Sequence, residues 1–388
     1  MTAGSRTPVA KARAETARRV AIDALIAIDQ GARANVVVPE LLTRSRLDGR
    51  DRNLVTELVY GACRMQRACD WLTDRYARGR LDAEVRAALR VGAYQIGWTR
   101  IPPHAAVSAT VEEVRGRGRT LVNAVLRRVA AEVEAGLVTW PNRATELSYP
   151  DWIMDRLSSD LGPDRAHLAM MTMNQAASVT TRPDGYIQDR ASQMVASHLA
   201  PHRARRVLDV CAAPGGKATA LARSGTELVV ASDLSLSRSV LVAANAARVG
   251  ARQVATVVGD GTDPPYRSGH FDLVIVDAPC SGLGVLRRRP DARWRIQPGD
   301  VDRLGDLQRR LLSSARTLVR PGGVLAYSVC TMTTTETAAI DTWLARSAPG
   351  LTPLPPPGPP WRPAGRGGLL LPQDEGTDGM FLLTLRVP

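Results

Sequence analysis

Lysine is nearly missing from this chain. Of 388 residues only Lys11 and Lys217 are lysines, and arginine carries the remaining positive charge. The bias singles out Lys217, because Arg and Lys are not interchangeable where a compact point charge on a flexible stem is needed. Cysteine is scarce as well. The five present, Cys63, Cys69, Cys211, Cys280 and Cys330, are odd in number and form no Cys-x-x-Cys pair. Neither a disulfide framework nor a zinc site is indicated. No apolar run reaches the roughly 18 residues that a membrane helix needs. The Arg-, Ala- and Thr-rich start has no apolar signal core. A cytoplasmic protein with no membrane span and no metal is the expectation. Two phosphate-binding patterns are also absent: G-x-G-x-x-G does not occur at the first βα turn, and Gly216-Lys217 is followed by Ala218, which breaks a P-loop.

Hydrophobic residues make up 44% of the chain, the composition of a globular protein long enough for two domains. The net charge is +13. Residues 1–140 carry 23 Lys/Arg against 15 Asp/Glu, a balance of +8, leaving +5 for the other 248 residues. A basic excess weighted to one segment suits a polyanion such as nucleic acid, or is simply a solvated surface.

Residues 14 to about 135 read as five or six helices, with apolar residues such as Leu54, Val55, Leu58 and Val59 at helical spacing. Breaks fall at Gly31, Gly49, Gly79, Pro102-Pro103 and Gly116-Arg117-Gly118. Arginines recur along the segment, among them Arg64, Arg115, Arg117, Arg119, Arg127 and Arg128. Cys63 and Cys69 lie in the helical pattern as core residues. The domain expectation is 1–140 all-α, 141–183 a connector, and 184–388 a second domain. From residue 206 strands and helices alternate: strands at 206–210, 227–233, 253–258, 271–276 and 324–329, helices between them, and a last strand at 380–387. Repeated βα units imply a parallel, doubly wound sheet. The Pro-rich stretch 349–363 reads as a surface loop.

Two strands end on cysteine loops. Phe271 to Val276 runs into Asp277-Ala278-Pro279-Cys280, and Val324 to Val329 runs into Cys330. In open α/β sheets ligands bind at that carboxyl edge. The first βα turn, Cys211-Ala212-Ala213-Pro214-Gly215-Gly216-Lys217, has small residues that let a cofactor lie against the backbone and the helix N-terminus. Asp233, ending the second strand, is placed for ribose hydroxyls, and Asp260, after the third, for an adenine. Loop plus acids suit an adenosine-bearing ligand. Two thiols beside them point to covalent chemistry.

These motifs carry a resemblance. Asp51 to Gly61, Ile101 to Val107 and Val122 to Arg128 resemble the NusB-like domain, an all-α RNA-binding fold. Asp209 to Lys217, Asp277 to Gly282, Arg288 to Arg295 and Tyr327 to Cys330 resemble the Fmu/Sun/RsmB family of RNA cytosine-C5 methyltransferases, and Asp378-Gly379-Met380-Phe381 resembles its C-terminal signature. The resemblance implies a NusB-like domain followed by a Rossmann-like methyltransferase domain that uses S-adenosyl-L-methionine. Cys211, Ala212, Ala213, Pro214, Gly215, Gly216, Lys217, Asp233, Asp260 and Asp277 would hold the cofactor. It implies Cys330 as nucleophile towards C6 of a cytosine, Cys280 as the residue assisting product release, Asp277 holding the ring and Lys217 stabilising charge. Arg287, Arg288, Arg289, Arg293 and Arg295 form a basic loop suited to RNA phosphates. The implied partner is 16S rRNA or a small-subunit assembly intermediate, bound by a monomer. Val329 replaces the family's Thr, Thr337 its Asn, and only ten residues lie between Asn174 and Gly185, where the family carries a small α/β extension. A tRNA cytosine as target, or a non-catalytic RNA-binding assembly factor, are the rival readings.

Overall fold

The structure is a computed structural model and describes residues 15–388; Lys11 and the start of the chain lie outside the described residues. The chain divides into two units. One comprises residues up to Ser148 together with Arg289–Asp291, and the other Tyr149–Arg288 with Ala292–Pro388.

The first unit is helical: α1 (Ala17–Asp29), α2 (Ala34–Arg44), α3 (Gly49–Arg64), α4 (Gln66–Asp74), α5 (Ala83–Trp98), α6 (Pro103–Glu113), α7 (Gly118–Glu134) and the short α8 (Arg143–Glu146). More helices form than the breaks in the sequence indicated, because α3 gives way to α4 at Met65, where neither Gly nor Pro stands. Leu25, Leu58, Leu72, Leu89 and Leu126 meet in one core, which also takes up Cys63 and Cys69. Burial pushes the Cys63 thiol up to about 12, so it is an apolar filler here. A guanidinium braces three helices: Arg90 pairs with Asp29 at 2.9 Å and with Asp70 at 2.8 Å. Arg115, Arg117, Arg119, Arg127 and Arg128 are exposed, whereas Arg64 is buried.

The second unit begins with α9 (Asp151–Leu161), α10 (Pro163–Met173) and α11 (Arg190–Leu199). Then strand and helix alternate through β1 (Arg206–Asp209), α12 (Gly216–Leu221), β2 (Leu228–Asp233), α13 (Leu236–Arg248), β3 (Val254–Val258) and β4 (Phe271–Asp277). The chain continues as α14 (Ala292–Arg295), α15 (Pro298–Leu318), β5 (Val319–Val329) and α16 (Ala338–Ser347). It ends as β6 (Thr352–Pro353), β7 (Arg362–Ala364), β8 (Gly367–Leu370), α17 (Pro372–Glu375) and β9 (Met380–Arg386). Near-continuous Val, Ile and Leu in β4 and β5 fit strands covered on both faces.

The sheet is mixed. Its order is β3-β2-β1-β4-β5-β9-β8-β7, with β6 pairing β9. β1 to β5 are parallel, while β9 is antiparallel to both β5 and β8. The wholly parallel sheet expected from βα repeats therefore stops at β5. The short connection from β8 to β9 is compatible with an antiparallel pair and too short for a parallel crossover. The stretch 349–363 is likewise more than a loop, since Thr352–Pro353 pairs with β9 and Trp361 is buried.

Candidate active site

The registers of β1, β4 and β5 bring the chemistry to one edge. Asp277 at the end of β4 lies opposite Ser328 of β5, so the loops carrying Cys280 and Cys330 leave neighbouring parallel strands at the same level. Their sulfurs stand 3.3 Å apart, close but unbonded, and both cysteines are free. The contact with Cys330, followed by burial, pushes the Cys280 thiol well above its ordinary value. Gly284 lets the first loop close: its N–H donates to Cys330 O at 3.1 Å and its carbonyl accepts from Gly379 N at 2.8 Å. A Cβ there would lie 2.3 Å from the Gly379 oxygen.

Lys217 reaches this edge from the first turn of α12 and meets Asp277 at 2.8 Å. Burial works against the ammonium, but the charges of Asp277, Asp209 and Cys330 outweigh it and hold the Lys217 pKa above the ordinary value. Asp209 ends β1 beside them, almost fully buried, with Oδ1 lacking a hydrogen-bond partner. Burial and then the nearby Asp277 raise its carboxyl to about 7.

The Gly-rich loop runs over β1. Gly215 has φ +99°, a left-handed conformation that favours glycine, and a Cβ would press on Val242 at 3.2 Å. The loop is tied from several sides. Ala213 N donates to Asp233 at 3.3 Å, Tyr186 OH to Pro214 O at 3.0 Å, Asn245 Nδ2 to the same oxygen at 2.9 Å, and Arg182 to Gly216 O at 2.6 Å. Cys211 and Ala212 sit beneath it, and burial drives the Cys211 thiol above its ordinary value. Asp233 is buried at the end of β2 and also accepts from Ser235 N at 3.1 Å. Asp260 is exposed beyond β3, where Thr262 N and Oγ1 each donate to it at 2.8 Å.

The comparisons with known proteins agree with this architecture. A model of the 16S rRNA methyltransferase RsmB/F family matches residues 196–386, and a NusB family model matches residues 15–131. A protein of Mycobacterium tuberculosis designated a methyltransferase, with no substrate in its name, is 35% identical over 96% of this chain and 96% of its own. Ribosomal RNA small subunit methyltransferase B of Sodalis glossinidius is 31% identical, covering 79% of this chain and 83% of that protein. The chain belongs to the RsmB/F family of 16S rRNA methyltransferases. Among solved structures, PH0851 superposes with a TM-score of 0.76 over 95% of this chain and 98% of that one, at 21% identity, which is a likeness of fold.

S-adenosylmethionine is the cofactor of this RsmB/F methyltransferase, and the residues present fit it. Asp209 Oδ1, buried and without a partner, would accept from the cofactor's ammonium, and the buried Asp233 carboxylate would accept from its hydroxyls. Among the described residues no group of three or more His, Cys, Asp and Glu could hold a metal ion, and no helix is long and apolar enough to cross a membrane.

The basic loop needs correction. Arg293 is fully buried, stacked over Tyr149 at 3.8 Å and donating to Tyr149 OH at 3.0 Å and Asn174 Oδ1 at 3.1 Å. Arg287 is buried and donates to Thr377 O at 3.1 Å. Arg288 bridges Asp378 at 3.0 Å and Asp189 at 2.5 Å. These three guanidinium forks hold carbonyls, carboxylates and an aromatic face inside the unit; Arg287 and Arg293 are buried, which takes them out of a surface phosphate footprint, while Arg288 is half-buried. Arg289 and Arg295 are exposed.

Residues that sequence reading missed are Asp209, which occupies in β1 the end position Asp277 occupies in β4, and Arg182, Tyr186 and Asn245. The first had a signal in that shared position. The loop braces had none, since nothing local marks an arginine 35 residues before Lys217 as its support.

Proposed function

We infer that the protein methylates C5 of a cytosine in 16S rRNA through a transient bond between the Cys330 sulfur and C6 of the base. The observation carrying this reading is the pair of sulfurs 3.3 Å apart at the edge where Lys217 meets Asp277. C5 of cytosine is a poor nucleophile, and addition of a thiolate at C6 corrects that. The carbon–sulfur bond forms while the C5–C6 π pair moves onto C5 and the ring. Asp277 accepts from the exocyclic amine and so orients the ring, and the Lys217 ammonium stabilises the negative charge. When bound, S-adenosylmethionine supplies the electrophilic methyl carbon that C5 takes up. The C5 proton then leaves to a base, the ring double bond re-forms, and the Cys330 thiolate is expelled from C6 with Cys280 assisting. The cytosine must be unpaired or flipped from its stack to reach the edge. RNA binding falls to the NusB-like helices and to exposed arginines such as Arg289.

Bisulfite sequencing of rRNA and tRNA from cells with and without the gene tests the reading. Loss of one 16S cytosine signal is expected. Loss confined to tRNA would move the substrate, and unchanged signals in both would overturn the activity.

A further inference from the structure

Parallel pairing of β4 and β5 sets where their ends lie, not how the loops beyond them approach each other. Something else must hold two sulfurs at contact distance. Glu336 ends a 3-10 turn, Thr334–Glu336, and is fully buried. Its carboxylate accepts from Ser281 N at 2.7 Å, Ser281 Oγ at 2.5 Å, Thr333 Oγ1 at 2.8 Å and Gln308 Nε2 at 3.1 Å. Ser281 follows Cys280 and Thr331 follows Cys330, and their hydroxyls meet at 2.8 Å. Gln308 on α15 also donates to Pro279 O at 3.0 Å and accepts from Tyr327 OH at 2.9 Å, while the same hydroxyl reaches Glu336 O at 2.7 Å. The turn is itself anchored, since Asp160 of α9 accepts from Thr334 N at 3.0 Å. One carboxylate thus gathers the residue after the first cysteine and the turn after the second.

We propose that Glu336 is a positioning residue that clamps the Cys280 loop onto the Cys330 loop and so sets the distance between the two sulfurs. It touches neither sulfur. Its catalytic consequence rests on the cytosine-methylation reading; its structural consequence does not. Its charge is also one of the influences that keep the Cys280 thiol protonated. Removing that charge alone would let Cys280 ionise more readily and oxidise faster, which is opposite in sign to the effect of loosening the clamp.

The two effects separate in an oxidation test without RNA or cofactor. Diamide takes one hydrogen from each thiol, its N=N bond becomes a hydrazine, and a Cys280–Cys330 disulfide forms, read by peptide mass mapping. In Glu336→Ala the cross-link is expected to form at least about tenfold more slowly than in the parent, because a loop no longer held misplaces its sulfur. Glu336→Gln keeps an acceptor for Ser281 N, and its amide can donate to the two hydroxyls, so it should match or exceed the parental rate. In methyl transfer, Glu336→Ala should lose roughly 100-fold in kcat with KM for RNA little changed, and Glu336→Gln should recover most of it. Parental cross-linking in Glu336→Ala would overturn the proposal. If that variant does not fold, Ser281→Ala removes a single donor, and a parental rate there overturns it instead. Fast cross-linking in the parent without methyl transfer to any RNA would sink the proposed activity and leave the clamp standing.

Discussion

At the scale of single residues, the two cysteines are distinguished by surroundings rather than by exposure. The Cys280 thiol is pushed well above its ordinary value by the contact with its neighbour and then by burial, whereas Cys330 follows β5 directly, its sulfur 3.3 Å from that of Cys280. Cys330→Ala should therefore abolish methyl transfer, and Cys280→Ala should accumulate a protein–RNA adduct that survives a denaturing gel. Full activity in Cys330→Ala protein would reverse the assignment. Lys217→Met should cost on the order of 3 kcal/mol of barrier, read as a fall of about two orders of magnitude in kcat, as for loss of a preorganised charge-stabilising group. Lys217 stands out in the sequence because lysine is otherwise so rare, and the structure places it against Asp277. The roles of Arg287, Arg288 and Arg293 were not: a string of arginines reads alike in sequence whether the forks face solvent or carbonyls inside the fold.

At the scale of elements, continuous apolar runs made β1, β2, β4 and β5 readable, because strands covered on both faces have few polar residues. The direction of β9 was not readable, since orientation is decided by connection and neighbour rather than by the strand's own residues. The turn before β9 offers a test. Asp378 is raised to about 7, by burial first and then by Asp189, against the pull of Arg288 and Arg287. A raised carboxylate binds its proton more tightly in the folded state, so its contribution to stability is complete below about pH 4 and is lost as pH climbs through about 7. Asp378→Asn removes that loss, and its melting temperature relative to the parent should rise between pH 5 and pH 8. The same turn packs on Gly284, where a methyl group would meet the Gly379 carbonyl. Gly284→Ala should lower stability by about 1–3 kcal/mol, seen as a lower melting temperature.

At the scale of the whole molecule, the charge is unevenly spread, +8 of the +13 lying in residues 1–140. RNA affinity should fall steeply with salt as counterions are released. Arg289→Ala should reduce the slope of log affinity against log salt by about 0.7, as expected for one contact to a single strand. Arg293→Ala should instead lower the melting temperature, because its guanidinium is packed on Tyr149. An unchanged slope in the first variant would remove Arg289 from the RNA footprint. The sequence places the end of the helical segment at residue 140 and the start of the second domain at 184, whereas the two units divide at Ser148 and Tyr149, so the helices α9 and α10 that the sequence assigns to a connector belong to the α/β unit.

The loop over β1 is held by Asp233, Tyr186, Asn245 and Arg182, residues drawn from three separate stretches of chain. A cradle braced in this way is already in its receiving shape. Docking of the sulfonium then immobilises little that was loose, so a titration calorimeter should register only a modest entropic penalty from the polypeptide.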